Sequence, residues 1–65
     1  MAIEHLTVEM RCTNAAFEGS SNPLEIARIL RSLAADIEAG ERPSTLRDLN
    51  GNTTTQVLYG IALDA

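Results

Sequence analysis

The stretch Asn-Pro-Leu-Glu-Ile-Ala-Arg-Ile-Leu-Arg-Ser-Leu-Ala-Ala-Asp-Ile-Glu-Ala-Gly, from Asn22 to Gly40, decides the fold. Asn22 is a residue type whose side-chain oxygen accepts from the free N–H groups of a first helical turn. Pro23 follows where a missing N–H costs nothing, and Glu25 completes a box-like Asn-x-x-Glu start. Gly40 can take the left-handed conformation that ends helices. Between these signals Ile26, Ile29, Leu30, Leu33 and Ile37 recur at helical spacing, with Ala27 and Ala34 filling the same face. The spacing predicts one long amphipathic helix. Its wet face carries Glu25, Arg28, Arg31, Ser32, Asp36 and Glu38, and Glu25 can pair with Arg28 one turn on.

Before the helix the pattern changes period. Leu6, Val8, Met10 and Cys12 alternate with His5, Thr7, Glu9, Arg11 and Thr13, the period-2 signature of a strand with one buried and one wet face. This strand is expected from about Ile3 to Thr13. Ile3 falls out of register with the buried set, which predicts a bend or bulge near Glu4 or a frayed start. Asn14 to Ser21 reads as a loop, and Phe17 within it is expected to plug the end of the core.

After Gly40, the connector Glu41-Arg42-Pro43-Ser44 cannot prolong the helix because of Pro43. Residues 45–63 read as a hairpin about Asn50-Gly51, the favoured pair of a two-residue type I′ turn. That turn pairs Leu49 with Asn52, Asp48 with Thr53, Arg47 with Thr54 and Leu46 with Thr55. Leu46, Thr55, Val57, Tyr59, Ile61 and Leu63 then face inward, and Thr54, Gln56, Leu58, Gly60 and Ala62 face out. The expected fold is α+β: strand, helix, strand, strand, with the helix packed on a three-stranded antiparallel sheet of order 1-3-2. Order 1-2-3, with the first two strands parallel through a right-handed crossover, is the alternative.

Size bounds the rest. Sixty-five residues form one domain, residues 1–65, with a thin core. Apolar residues at 45% and charged residues at 22% are the proportions of a folded chain, not a disordered one. Only Phe17 and Tyr59 are aromatic, so aliphatic side chains must build the core. The net charge of −4 lacks the basic footprint that nucleic acid or an anionic membrane requires; it suits solubility or a basic partner. No apolar run is long enough to span a bilayer, and the start lacks the basic-then-apolar pattern of a signal peptide. A cytoplasmic location is the expectation.

Catalytic patterns are wanting. His5 and the single cysteine, Cys12, fall on opposite faces of one strand, which disfavours a Cys/His pair. Neither paired histidines nor Cys-x-x-Cys is present for zinc, and Asn50-Gly51-Asn52 is a turn, not a phosphate loop. The expectation is a protein that is not an enzyme and needs no cofactor and no metal. Asp36, Glu38 and Glu41 stand out because they gather at the negative end of the helix dipole, where carboxylates are unfavourable. Either Arg42, Arg31 or Arg28 neutralises them, or they are kept to bind a partner.

The segments Thr13-Asn14-Ala15-Ala16-Phe17, Glu25-Ile26-Ala27-Arg28-Ile29-Leu30-Arg31 and Leu46-Arg47-Asp48-Leu49-Asn50-Gly51-Asn52 resemble small proteins of phages and prophages over nearly the whole chain. Most of those have no assigned activity. Some phage proteins of this size and acidity inhibit bacterial CRISPR–Cas complexes, and a few mimic DNA. The resemblance implies an accessory protein that docks, through Asp36, Glu38 and Glu41, on a host protein or ribonucleoprotein complex with a basic surface. The alternative is a phage structural or regulatory protein acting as a homodimer through its sheet, with Leu49, Leu58 and Ala62 as its sticky strip.

Overall fold

In the computed structural model, which describes residues 2–61, the helical periodicity resolves into α1, Ser21–Glu38. Ile29 and Leu33 are fully buried, and Ile26 and Ile37 pack beside them. The buried stripe is narrower than expected. Leu30 and Ala34 are exposed, whereas Glu25 is buried, so Glu25 belongs to the inner face and not the wet one.

The two ends of α1 differ in how far they follow local signals. At the C-terminus the Gly40 N–H donates to Ile37 O and the Glu41 N–H to Asp36 O, with Gly40 at φ +88. This is the paired 5→2 and 6→1 closure that a left-handed glycine permits. At the N-terminus the helix starts one residue before Asn22, which therefore does not cap it. The Ser21 and Asn22 N–H groups donate to the Glu18 and Gly19 carbonyls, so a preceding turn supplies the acceptors. Asn22 instead donates from Nδ2 to Phe17 O.

The strands are β1 (Ile3–Met10), β2 (Thr45–Arg47) and β3 (Thr53–Ile61), antiparallel in the order β1-β3-β2. Leu6 lies opposite Tyr59, Val8 opposite Val57 and Met10 opposite Thr55, and Leu46 pairs Thr55 from the other side. The expected irregularity near Glu4 is present: the ladder shifts between Ile3 and His5, and Ile3 comes opposite Ile61. Phe17 closes the core with Ile29, Leu33, Leu46 and Val57, at the end of a 3₁₀ turn, Ala15–Phe17. Cys12 packs against this core, and Tyr59 anchors the connector by donating from its hydroxyl to Pro43 O at 2.7 Å. Ala62 and Leu63 lie outside the described residues.

The hairpin differs from its expected form. Gly51 N–H donates to Asp48 O and Asp48 N–H to Asn52 O, so the loop is three residues, Leu49-Asn50-Gly51, and Asp48 opposes Asn52. A type I turn followed by a left-handed residue is the usual three-residue solution, and Gly51 supplies it at φ +85. Arg47 then meets Thr53 while Leu46 keeps Thr55, leaving Thr54 unopposed as a bulge. Thr54 is consequently buried alongside Thr55, their hydroxyls 3.4 Å apart, and is not an outward residue.

Two stability measurements check this packing. Leu33→Ala should cost about 2–5 kcal/mol in urea unfolding, and Leu30→Ala, on the exposed flank, under about 1 kcal/mol. Equal losses would mean α1 is rotated from the face described. Gly51→Val should cost at least about 1–2 kcal/mol although a Cβ there meets open space, because the penalty is backbone strain; a neutral result refutes the left-handed turn.

Candidate functional site

The residues the structure draws together most tightly are polar and lie where the β2–β3 turn meets the start of α1. Asp48, at the head of the turn, is buried. Its Oδ1 accepts from the Asn50 and Asn52 backbone N–H groups at 2.9 Å each, and its Oδ2 accepts from Asn14 Nδ2 at 2.6 Å. Asn14 in turn accepts on Oδ1 from the Ala16 N–H, capping the 3₁₀ turn. One turn of α1 away, Glu25 Oε2 accepts from the Leu49 N–H at 2.7 Å. The Arg28 guanidinium forks onto the same carboxylate, Nε to Oε1 at 2.7 Å and Nη2 to Oε2 at 2.9 Å. Arg28 Nη2 also lies 3.5 Å from Arg47 O.

Both carboxyls are held ionised. Glu25 titrates below its ordinary value because the Arg28 fork and the Leu49 N–H outweigh burial. For Asp48 burial pushes upward, but the donors from Asn52, Asn14 and Asn50 together bring it below its ordinary value. A general acid needs a raised carboxyl with a free oxygen edge. These oxygens are occupied, and what they do is hold the turn. The signal for Asp48 was local, an Asp two residues before Asn50 able to close an Asx turn; that for Glu25 was not, since its partner Leu49 is 24 residues on.

Above this clamp runs a shallow groove of about 370 Å³, bordered by Leu24 and Leu49 and floored in part by Glu25 and Arg28. These two leucines are 71% and 74% exposed.

The acidic residues expected to bind a partner sit at the opposite end of α1. Asp36 is half-buried, and Glu38 and Glu41 are exposed. The helix-ending turn brings the Glu41 backbone onto Asp36, 2.9 Å from N to O. Glu38, two positions from Asp36, projects from a different side of the helix. Arg42 does not pair with any of the three. Its Nη1 donates to the Glu41 and Ile37 carbonyls, completing the helix end rather than neutralising side chains. Among the described residues the one ion pair is Glu25–Arg28.

Among the described residues, no three His, Cys, Asp or Glu side chains come together as a metal site would require, and no helix is long and apolar enough to cross a membrane. No protein family, curated protein or solved structure matches the chain.

The clamp has a pH signature. Both carboxyls titrate lower in the fold than in the unfolded chain, so their contribution is complete above the ordinary values of 4.5 and 3.8. It drains as pH falls through the lowered folded values. The double variant Glu25→Gln, Asp48→Asn should be less stable than the parent at neutral pH. It should also lose less further stability between about pH 5 and about pH 2. Parallel stability–pH curves would show that neither carboxyl is selectively stabilised by the fold.

Proposed function

We propose that this chain is a small interaction protein without catalytic activity, which docks on a basic surface of a larger protein or ribonucleoprotein complex and thereby inhibits it. The observation that carries the reading is the set Asp36, Glu38 and Glu41, placed at the negative end of α1 with no cationic side chain within 4 Å among the described residues. Carboxylates in that position work against the helix dipole. The fold gains nothing visible from them, whereas a partner rich in arginine or lysine would gain attraction and faster encounter. The phage inhibitor of a CRISPR–Cas complex implied by the sequence resemblance is the specific form of this reading. Its place of action is then the host cytoplasm.

The test is affinity capture from bacterial host lysate with the tagged chain and with Asp36→Asn, Glu38→Gln, Glu41→Gln combined. The triple variant should fold at least as stably as the parent, since the conflict with the dipole is removed. It should recover at least about tenfold less of the captured complex. Capture by the parent should itself fade as salt rises from about 0.05 M to about 0.5 M, as charge-steered association does. Undiminished capture by the triple variant, or indifference to salt, refutes the acidic end as the docking surface.

A further inference from the structure

The two edges of the sheet are guarded very differently. β2 forms one edge with three residues and a bulge at Thr54, the short and irregular kind of edge that resists pairing with another chain. β1 forms the other edge with eight residues, and from His5 to Met10 its ladder runs without irregularity. The chain has no lysine, and its only prolines are Pro23 and Pro43, so β1 is guarded by the charges of Glu4 and Glu9 and by the irregularity before His5, and from His5 onward its backbone is free to pair.

The hydrogen-bond parity tells which groups this edge offers. Arg11 N–H donates to Thr54 O, so the odd-numbered residues of β1 turn their backbone groups toward β3. The Val57 N–H donates to Ser44 O on the far side of β3, which agrees with that alternation. Leu6 and Val8 therefore point their N–H and C=O groups to the open edge. Their side chains lie on the helix-bearing face, where Val8 is half-buried while Leu6 is 49% exposed, because α1 leaves that end of the sheet uncovered.

We propose that β1 pairs antiparallel with β1 of a second copy about a two-fold axis at Thr7, joining two three-stranded sheets into one. This interface goes beyond the acidic end of α1 and uses none of its residues. In this register Leu6 and Val8 of one copy exchange backbone hydrogen bonds with Val8 and Leu6 of the other, and each exposed Leu6 gains an apolar neighbour. Thr7 faces Thr7 across the axis, a favourable cross-strand pair. On the outer face His5 comes opposite Glu9 of the second copy, twice by symmetry. An imidazole donates to a carboxylate whether it carries one proton or two. The ring of His5 rests over Gly60, where a Cβ would lie 3.0 Å from His5 Cβ, so the residue opposite Glu9 has a backed position. Moving the axis to Val8 would instead set His5 against Arg11 and Thr7 against Glu9, which loses both complementary pairs. The His5–Glu9 hydrogen bonds and the Thr7–Thr7 pair, made only by a second copy in this register, thus select both the occupant and the register.

The experiment is sedimentation of the full chain from about 10 μM to about 1 mM, a range suited to an interface below about 1,200 Å². The mass should rise from 7.0 kDa toward twice that value. Amide exchange at Leu6 and Val8 should slow as it does. Glu9→Lys and His5→Glu, both at exposed positions, should each weaken association about tenfold by setting like charges or unpaired groups opposite each other. Glu9→Lys also lowers the net acidity, so its loss of association cannot come from general repulsion. The combination His5→Glu, Glu9→Lys should restore the parent's association to within about threefold. A chain that stays monomeric throughout, a dimer whose Leu6 and Val8 amides exchange freely, or a double variant that is not restored each overturns the proposal.

Discussion

The Asp48 carboxylate is the point on which the rest of this small fold depends. It holds the backbone of the β2–β3 turn through Asn50 and Asn52 and holds the loop before α1 through Asn14. The turn sets where β3 begins opposite β2, and β3 is the central strand, so the carboxylate holds the start of the strand that both ladders share. Glu25 locks the same turn to the helix through the Leu49 N–H. A burial-only account would place apolar residues at both positions. The turn's N–H groups, however, need acceptors once water is excluded, and a carboxylate supplies several lone pairs on one short side chain.

The size of the core explains why such clamps are needed. Phe17, Ile29, Leu33, Leu46 and Val57 are the buried apolar residues, and each contributes about 1.5–3 kcal/mol of transfer free energy. The conformational entropy lost in ordering the backbone opposes this burial. A sheet covered by one helix cannot raise the first term much, so orientation of the elements falls to hydrogen bonds that link distant segments: Asn14 to Asp48, Glu25 to Leu49, and Tyr59 to Pro43. Every buried polar side-chain atom among the described residues has a partner, which is the condition for such a network to stabilise at all.

What was legible in the sequence was what periodicity and backbone chemistry determine. The alternation of β1, its break near Glu4, the helical stripe of α1 and the left-handed Gly40 all follow from spacing or from a glycine, whereas Leu46 meets Thr55 only because the Thr54 bulge offsets the extra loop residue. The misreadings share another cause. Asn22 and Glu25 have the composition of a cap, but the turn at Glu18 and Gly19 had already supplied the acceptors, and the Leu49 N–H needed Glu25 more. Asn50-Gly51 suits a two-residue or a three-residue loop; Asp48 decides between them by accepting from Asn52, and its hold on Asn14 spans 34 residues. Local propensity cannot see that distance. The placement of Asp36, Glu38 and Glu41 at the end of α1 was legible, yet only the structure shows Arg42 spending its donors on carbonyls instead of on them.

The charges that hold the fold and those that do not are kept apart. Glu25, Arg28 and Asp48 are hydrogen-bonded within the fold and sit at the N-terminal end of α1; Asp36, Glu38 and Glu41 form no ion pair among the described residues and sit at the other, about 20 Å along the helix axis from Glu25 to Glu38. Added salt, by shortening the Debye length, screens a partly buried, bidentate pair less than it screens exposed carboxylates. Ionic strength therefore acts more on the far end of the helix than on the clamp, and acid acts on the clamp through carboxyls whose folded titration is lowered. Substitution follows the same division. Changing the acidic end removes a conflict with the helix dipole, whereas changing either clamp residue releases a turn on which β3 is aligned. The charge at the C-terminal end of α1 can thus vary without disturbing the sheet that carries it.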